Sequence, residues 1–439
     1  MRRFLAVFLA HGAVALLLGA PASALAQNTP PQARWARTFG SDRADHAAGV
    51  AVRADGSLVV AGYTDGTLPG ATSSGASDLV VASFDADGQP QWTRQFGGRG
   101  ADRATGVAVD AQGDAYVSGF TSNSLPPADS VGAGDAFVAK VGSDGTLLWL
   151  RQFGTTGADY ARSVAVDATG NVFVGGDTNG TLPGNTNLGG DGDAFLAKFD
   201  ASGDLVWLRQ FGSAAADKVT SVTADARGDV LAVGTTRGTL PTNRTRGGSD
   251  AFMVKLDGNG TRVWLRQFGS EGADYAYGVA ADAAGGAFAT GFTYGSLPGN
   301  TSSGNIDGFL AHVDANGNRT LLRQFGDDGA VFGYAVALDA AGNPVVGGWA
   351  DLDPLGGSPA PGPWRAYVAT FDAQGAPRGV RQFGTSGMEQ PVGLALDGTG
   401  GVYVVTSGVL PPGGTPDDSD TSPRPPAGAN EVLLVSYPP

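Results

Sequence analysis

The feature that most limits what this chain can fold into is a repeat of 57 or 58 residues. The phenylalanine of a recurring segment, RQFG in most copies, marks each repeat; it occurs at Phe39, Phe96, Phe153, Phe211, Phe268, Phe325 and Phe383. Regular periods of this length are typical of solenoids, propellers and linear arrays. In such folds one unit cannot cover its own apolar surface, so neighbouring units stack against one another. We therefore interpret the chain as seven copies of one structural unit.

Each copy contains four short apolar runs separated by turn residues. In the third copy they are Ser163–Asp167, Asn171–Gly176, Asp193–Asp200 and Leu205–Gly212. These runs are rich in valine and aromatic residues, alternate in part, and lack helical spacing. The turns DATG and DASG suit tight hairpins, because aspartate bonds the nearby backbone and glycine adopts positive φ. The pattern predicts an all-β fold, a seven-bladed β-propeller of four-stranded antiparallel blades.

The fourth run of most copies carries a tryptophan and an arginine at fixed positions. The tryptophans are Trp35, Trp92, Trp149, Trp207 and Trp264, and each precedes the marker phenylalanine by four residues. Period-two alternation puts tryptophan, arginine and phenylalanine on one strand face, where we expect the tryptophans to pack one blade against the next. An unpaired buried charge is costly, so we expect the arginine to form a repeated ion pair with an acid of the same or the next blade.

The N-terminal residues 1–26 have the features of a secretory signal peptide. Arg2 and Arg3 precede an apolar run, and Ala24-Leu25-Ala26 has the form of a cleavage site. A transmembrane anchor is the weaker alternative, because the apolar run is short. We expect a secreted protein or one of the cell envelope (periplasm or cell surface), with a tail at 27–34 and the propeller over 35–439.

Charge and cysteine content exclude several classes of partner and chemistry. The chain has no cysteine, which excludes disulfides, thiolate metal sites and thiol nucleophiles. Its net charge of −14 becomes more negative by two when Arg2 and Arg3 are removed. Such a protein is repelled by phosphate backbones, so we expect no nucleic-acid partner. No apolar run after the leader is long enough to span a bilayer, so we expect no membrane span. We also expect the protein to be a monomer.

Three segments carry a resemblance to a known family: GVAVDAQGDAYVSGFT, GDAFVAKVGSDG and WLRQFG. The chain resembles the SBBP family, the β-propeller repeat of secreted and cell-surface bacterial proteins, with an internal order similar to NHL-type repeats. The likeness covers Trp35 to Tyr437. It implies that the GVAVD strand is innermost and WLRQFG outermost, and it implies no common reaction.

That strand order has a consequence for the two ends of the repeat array. The array opens with an outer-strand segment, Arg34–Gly40, and closes on a third-strand segment, Glu431–Tyr437. The last blade therefore lacks a fourth strand of its own. We expect the N-terminal strand to supply it, so that the ring is closed by pairing of the N-terminal strand with the last blade.

The segment that follows most RQFG motifs, GxxGAD, supplies the first candidate site residues. Its acids are Asp45, Asp102, Asp159, Asp217 and Asp274, with Val331 and Glu389 in copies six and seven. They could form a ring at the channel mouth that attracts cations or a basic partner. Alternatively, each fixes its glycine-rich loop by accepting backbone N–H groups. Recurrence favours the structural role, because active sites usually use unequal residues.

Breaks in the repeat supply the remaining candidates. Copy six adds Trp349 and Trp364, and the last copy contains a long proline-rich segment, Val409–Asn430. We therefore expect a ligand surface, if one exists, between blades six and seven. The candidate ligand-binding residues are Asp45, Asp102, Asp159, Asp217, Asp274, Glu389, Trp349 and Trp364.

Catalytic machinery is sparse in the sequence. Downstream of the leader the histidines are His46 and His312, and zincin, serine-hydrolase and phosphate-loop motifs are absent. Turns such as Phe84–Gly88 hold too few acids for calcium, which needs six to eight oxygens. We expect no catalytic residue, metal or cofactor. The function indicated is a non-catalytic scaffold that binds a protein or glycan; the alternative is a hydrolase or lyase that uses carboxylates on the loop face.

The leader gives a direct test. Expression of the full chain in a Gram-negative host should yield an exported protein whose first residue is Gln27, because signal peptidase cuts after A-x-A. N-terminal sequencing or intact-mass measurement of the exported fraction checks this. A protein that keeps residues 1–26 and stays in the membrane fraction would show that the segment is an anchor.

Overall fold

The computed structural model describes residues 33–351, 353–355, 365–383, 390–397, 401–409 and 430–437. The predicted signal peptide, Trp364, Glu389 and most of the proline-rich segment lie outside the described residues. Within those ranges the chain forms strands and turns, and no helix is long and apolar enough to cross a bilayer.

The strands form seven separate four-stranded antiparallel sheets, each of which is one blade. Blade 1 is β2 (Asp45–Val52), β3 (Leu58–Thr64), β4 (Asp78–Phe84) and β5 (Pro90–Phe96). Blade 2 is β6 (Asp102–Val109), β7 (Ala115–Thr121), β8 (Asp135–Val141) and β9 (Leu147–Phe153). Blade 3 is β10 (Asp159–Val166), β11 (Val172–Thr178), β12 (Asp193–Phe199) and β13 (Leu205–Phe211).

The other blades continue the same order. Blade 4 is β14 (Asp217–Ala224), β15 (Val230–Thr236), β16 (Asp250–Leu256) and β17 (Arg262–Phe268). Blade 5 is β18 (Asp274–Ala281), β19 (Ala287–Thr293), β20 (Asp307–Val313) and β21 (Arg319–Phe325). Blade 6 is β22 (Val331–Leu338), β23 (Pro344–Ala350), β24 (Arg365–Phe371) and β25 (Pro377–Phe383). Blade 7 is β26 (Gln390–Leu396), β27 (Val402–Val409), β28 (Asn430–Tyr437) and β1 (Trp35–Phe39).

The first strands of the seven blades contact one another in a closed ring, and β26 of blade 7 contacts β2 of blade 1. These are the inner strands, and they surround the central axis. The seven-bladed propeller predicted from the repeat is therefore confirmed, with the GVAVD strand innermost.

The predicted pairing of the chain ends is also confirmed. β1 pairs antiparallel with β28, and the register joins Trp35 to Ser436 and Phe39 to Val432. The Phe39 ring also lies 5.3 Å from that of Phe84 in blade 1. The N-terminal strand thus completes blade 7 and at the same time packs against its neighbour.

The core lies between the blades rather than within any one of them. Every residue of β11 is buried, because both faces of this strand meet adjacent sheets. The outer strands are more open; Leu205 and Val206 at the start of β13 are 51% and 54% exposed. A strand covered on both faces reads as a continuous apolar run, which explains the weak alternation in the sequence.

A tryptophan and an arginine of five outer strands, β1, β5, β9, β13 and β17, hold a turn of the next blade. Trp207 Nε1 donates to the Gly258 carbonyl at 3.1 Å, and Arg209 Nε donates to Gly260 at 3.0 Å. The Arg209 guanidinium also lies 5.7 Å from the centre of the Trp207 ring. Equivalent contacts to the following turn are made by Trp35 with Arg37, Trp92 with Arg94, and Trp264 with Arg266.

These contacts confirm that the tryptophans pack blade against blade and correct the expected partner of the arginines. At Arg37, Arg94, Arg209 and Arg266 the expectation of a carboxylate partner is wrong: the observed partners are turn carbonyls. Arg151 differs, since its Nη2 lies 3.7 Å from Asp204. The physical reason is that a tight turn leaves outward carbonyls unpaired, and the guanidinium fork can satisfy two of them at once.

The N-terminal strand gives a stability prediction. Deletion of residues 27–40 should lower the free energy of unfolding by at least about 3 kcal/mol, because it removes two packed aromatic side chains and one strand of blade 7. It should also promote aggregation by exposing the edge of β28. Urea denaturation and size-exclusion chromatography measure both effects. Deletion of residues 27–33, which leaves β1 intact, is the control; equal stability of the two variants would contradict the closure role.

Candidate functional site

The candidate site lies where the inner strands begin. We call the loop face the end of the propeller that carries the connections from fourth to first strands and from second to third strands. The channel mouth is the part of this face formed by the first residues of the inner strands. Its geometry depends on two sets of repeated contacts beneath it.

The first set is made by the aspartates that begin five inner strands. Asp45, Asp102, Asp159, Asp217 and Asp274 are only 0–3% exposed. Each accepts the backbone N–H of the residue four positions earlier, at 2.6–2.7 Å, as Asp102 does from Gly98. These are the loop-fixing contacts that the structural interpretation requires. A direct contact of these carboxylates with a ligand remains a prediction.

The second set is made by the glutamine of RQFG. Gln95 Oε1 accepts the N–H of Leu68, and its Nε2 donates to the Gly66 carbonyl, both at 2.9 Å. The same Nε2 donates to Asp78 at 2.7 Å. Gln152, Gln210, Gln267 and Gln324 repeat this arrangement. The loop between the second and third strands is therefore held in the same way in five blades.

An aspartate bound by the glutamine and an aspartate that begins an inner strand meet at the junction between blades. A Cβ built on Gly97 would lie 1.7 Å from Asp78 Oδ1 and 3.2 Å from Asp102 Oδ2, so only glycine fits between them. Burial raises the pKa of Asp102, hydrogen bonds from Thr121 and Gly98 oppose the rise, and the Asp78 charge adds to it. Three further junctions pair Asp135 with Asp159, Asp193 with Asp217, and Asp250 with Asp274.

The residue that follows the repeated acid differs between blades. In blades 1 to 6 it is His46, Arg103, Tyr160, Lys218, Tyr275 and Phe332. The residues paired with these across the first two strands are Tyr63, Phe120, Asp177, Thr235, Phe292 and Trp349. His46 is partly exposed between the buried Asp45 and Ala47, so its side chain reaches the surface at the mouth. Apart from Trp349, these mouth residues are not among the candidates from the sequence, although their divergence at one position of the repeat is visible there.

Blades 2 to 4 contribute cations to the mouth. The Arg103 guanidinium lies 4.7 Å from the centre of the Tyr63 ring, and Arg162 forms an ion pair with Asp177. Burial lowers the pKa of Lys218, and the Arg162 charge lowers it further; Asp177 opposes both effects. Among the residues that the structure describes, Lys218 Nζ has no hydrogen-bond or ion-pair partner.

Blades 5 and 6 contribute aromatic rings. Trp349 stacks on Phe332, with 4.4 Å between ring centres, and Tyr277 lies 5.0 Å from Tyr334. Burial, and then the neighbouring Tyr334, raises the pKa of Tyr277 to about 12, while the Arg162 charge acts in the opposite direction. The cationic and aromatic halves of the mouth are therefore within electrostatic range of each other. Trp349 thus belongs to a cluster between blades 5 and 6; the side chains expected between blades 6 and 7 lie in part outside the described ranges.

Comparison with known proteins confirms the repeat family in two copies and gives one distant curated relative. The SBBP beta-propeller repeat matches residues 91–126 and 148–183. A regulatory protein of Caulobacter vibrioides, FlaEY, is 28% identical over 363 residues, which cover 70% of this chain. The match covers 36% of that protein's length, so the chain spans about a third of it.

Two solved structures are similar at low identity. The WD40 domain of Neurospora crassa Pan2 is 12% identical, with a TM-score of 0.48 and coverage of 92% of this chain and 96% of that one. Sqt1 from Chaetomium thermophilum is 11% identical, with the same TM-score and coverage of 93% and 98%.

The raised pKa of Asp102 gives a pH prediction. Because the folded-state pKa lies above 3.8, the charged carboxylate costs stability at neutral pH, and this cost is recovered as the pH falls. The stability of the wild type relative to Asp102→Asn should therefore rise between pH 7 and pH 4, as measured by urea denaturation.

A matched control has the opposite sign. Asp144 is exposed, and hydrogen bonds from Thr146 lower its pKa. The stability of the wild type relative to Asp144→Asn should be flat over this pH range and fall below it. Parallel pH profiles for the two variants would contradict the assigned burial effect.

Proposed function

We propose that the protein is an exported, non-catalytic propeller scaffold that binds a protein or glycan partner through its channel mouth. The observation that carries this proposal is where the blades differ. The positions that hold blades and loops together repeat, while the second residue of the inner strand, at the mouth, changes from His46 to Arg103, Tyr160, Lys218, Tyr275 and Phe332. Apart from Phe332 these side chains are partly exposed, and an array with only a structural role has no reason to vary most at an open surface.

The carboxylate hydrolase or lyase alternative receives less support from the geometry. Its acid and base would have to be accessible and unequal, since one donates a proton and the other acts as base or nucleophile. The carboxylates with pKa values raised by burial are instead enclosed and repeated at successive junctions, as with Asp102 and Asp159. Asp177 at the mouth is bound to Arg162.

The setting of this scaffold is part of the proposal. The leader at residues 1–26 supports export, and the absence of cysteine means that stability in that compartment depends on packing between blades. The name of the Caulobacter relative, a regulatory protein, agrees with a binding role.

A pull-down tests this function. Mature protein carried on beads should retain a partner from the envelope or secreted fraction of its native host, and Lys218→Ala/Tyr277→Ala should reduce the retained amount by about tenfold or more. Arg262→Ala/Val206→Ala is the matched control, because it removes one charge and shortens one exposed side chain on the outer strands. Circular dichroism verifies that both variants fold. Equal retention by both variants would refute binding at the mouth.

A further inference from the structure

Two of the three cations at the mouth, Lys218 and Arg103, have no carboxylate partner among the described residues, whereas Arg162 is paired with Asp177. Away from the mouth, Lys255 lies 2.7 Å from Asp225 and donates to the Gly285 carbonyl, and Lys140 lies 3.0 Å from Asp114. At the mouth, Lys218 has no such partner among the described residues, and the buried Nε of Arg103 donates no hydrogen bond there. A charge held partly out of water without a partner costs free energy. A ligand that supplies an anion would remove this cost.

A second polar group at the mouth is also unsatisfied. Thr235 pairs across the strands with Lys218, and its buried Oγ1 has no hydrogen-bond partner in the described part of the chain. Thr235 is only 4% exposed. Because this oxygen is enclosed, a ligand can form a hydrogen bond with it only if the Thr235 side chain rotates toward the mouth.

The opposite half of the mouth offers ring faces. Tyr275, Tyr277 and Tyr334 are partly exposed, and Tyr294 beside them is 51% exposed. Phe292 and Phe332 lie behind them and fix their positions through ring contacts of 5.2–6.2 Å. Such rings provide flat apolar surface with hydroxyls at the margin, a combination that favours ligands with one apolar face and several polar groups.

We infer that the channel mouth binds an acidic saccharide, whose carboxylate faces Lys218 and Arg103 and whose sugar ring packs on the tyrosines of blades 5 and 6. This inference rests on the proposed function and narrows it to one class of ligand. A pyranose with a carboxylate has an anionic group, an apolar C–H face and hydroxyls at its edge, and the mouth offers a counterpart to each. Arg162 is already paired with Asp177, so it adds positive charge to this half of the mouth and does not bind the anion by itself.

The test uses the mature chain and trigalacturonate as probe in isothermal titration calorimetry. Galactotriose, which has the same length without carboxylates, is the neutral comparison. We expect trigalacturonate to bind, galactotriose to bind at least about tenfold more weakly, and added salt to reduce the difference. Lys218→Met, which keeps an apolar stem, should weaken trigalacturonate by about tenfold or more, whereas Arg262→Met should leave it unchanged.

Three outcomes would overturn the inference. They are failure of trigalacturonate to bind, binding that Lys218→Met does not change, and equal binding of polyglutamate, which would show attraction by charge alone. The pull-down separates this failure from that of the proposed function. If the envelope partner is still lost from Lys218→Ala/Tyr277→Ala, the scaffold role stands and only the ligand class is wrong; if it is retained, both are wrong.

Discussion

The whole structure depends on one constraint: each blade has two apolar faces, and only its neighbours can cover both. The contact that enforces this is directional as well as apolar. A tryptophan and an arginine on one outer strand hold the turn of the following blade through its carbonyls, as Trp207 and Arg209 hold Gly258 and Gly260. Where the tryptophan is missing, the neighbour explains it. Leu321 packs against the turn at Gly375 of the next blade instead. Gly379 of blade 6 precedes blade 7, whose third and fourth strands come from opposite ends of the chain and are therefore not joined by a turn.

The fold could be predicted from the sequence because the same four-strand unit occurs seven times. Period, strand number, blade order and closure all follow from the spacing of apolar runs and from the segments at the ends of the array. The partners of repeated polar residues could not be predicted in the same way. The sequence shows that an arginine such as Arg209 needs a partner, but it does not show which backbone carbonyl lies within reach of the guanidinium. Likewise, Asp78 and Asp102 are separated along the chain, and only the three-dimensional junction around Gly97 brings them together.

The candidate site shows the converse limit. Most candidates from the sequence are recurring residues, and the recurring aspartates lie beneath the loops, where they accept backbone N–H groups. The residues that give the mouth its chemistry are those that fail to recur, such as Lys218 and Tyr275, and the structure shows that they are partly exposed. Residues that recur in every copy therefore identify the contacts that hold the blades together. Residues that vary at one fixed position of the repeat identify the surface that is open to a ligand.

The pairing of β1 with β28 also bears on how the molecule is made. Phe39 leaves the ribosome among the first residues of the array, yet its strand partner Val432 belongs to the last. Contacts so distant in sequence form late, because almost the entire polypeptide must be ordered before they bring any gain. The early blades can assemble as soon as their own strands are available, but the circle stays open until the final strand is free to pair. A truncated product would keep an unpaired edge, a defect by which quality-control factors can recognise incomplete chains.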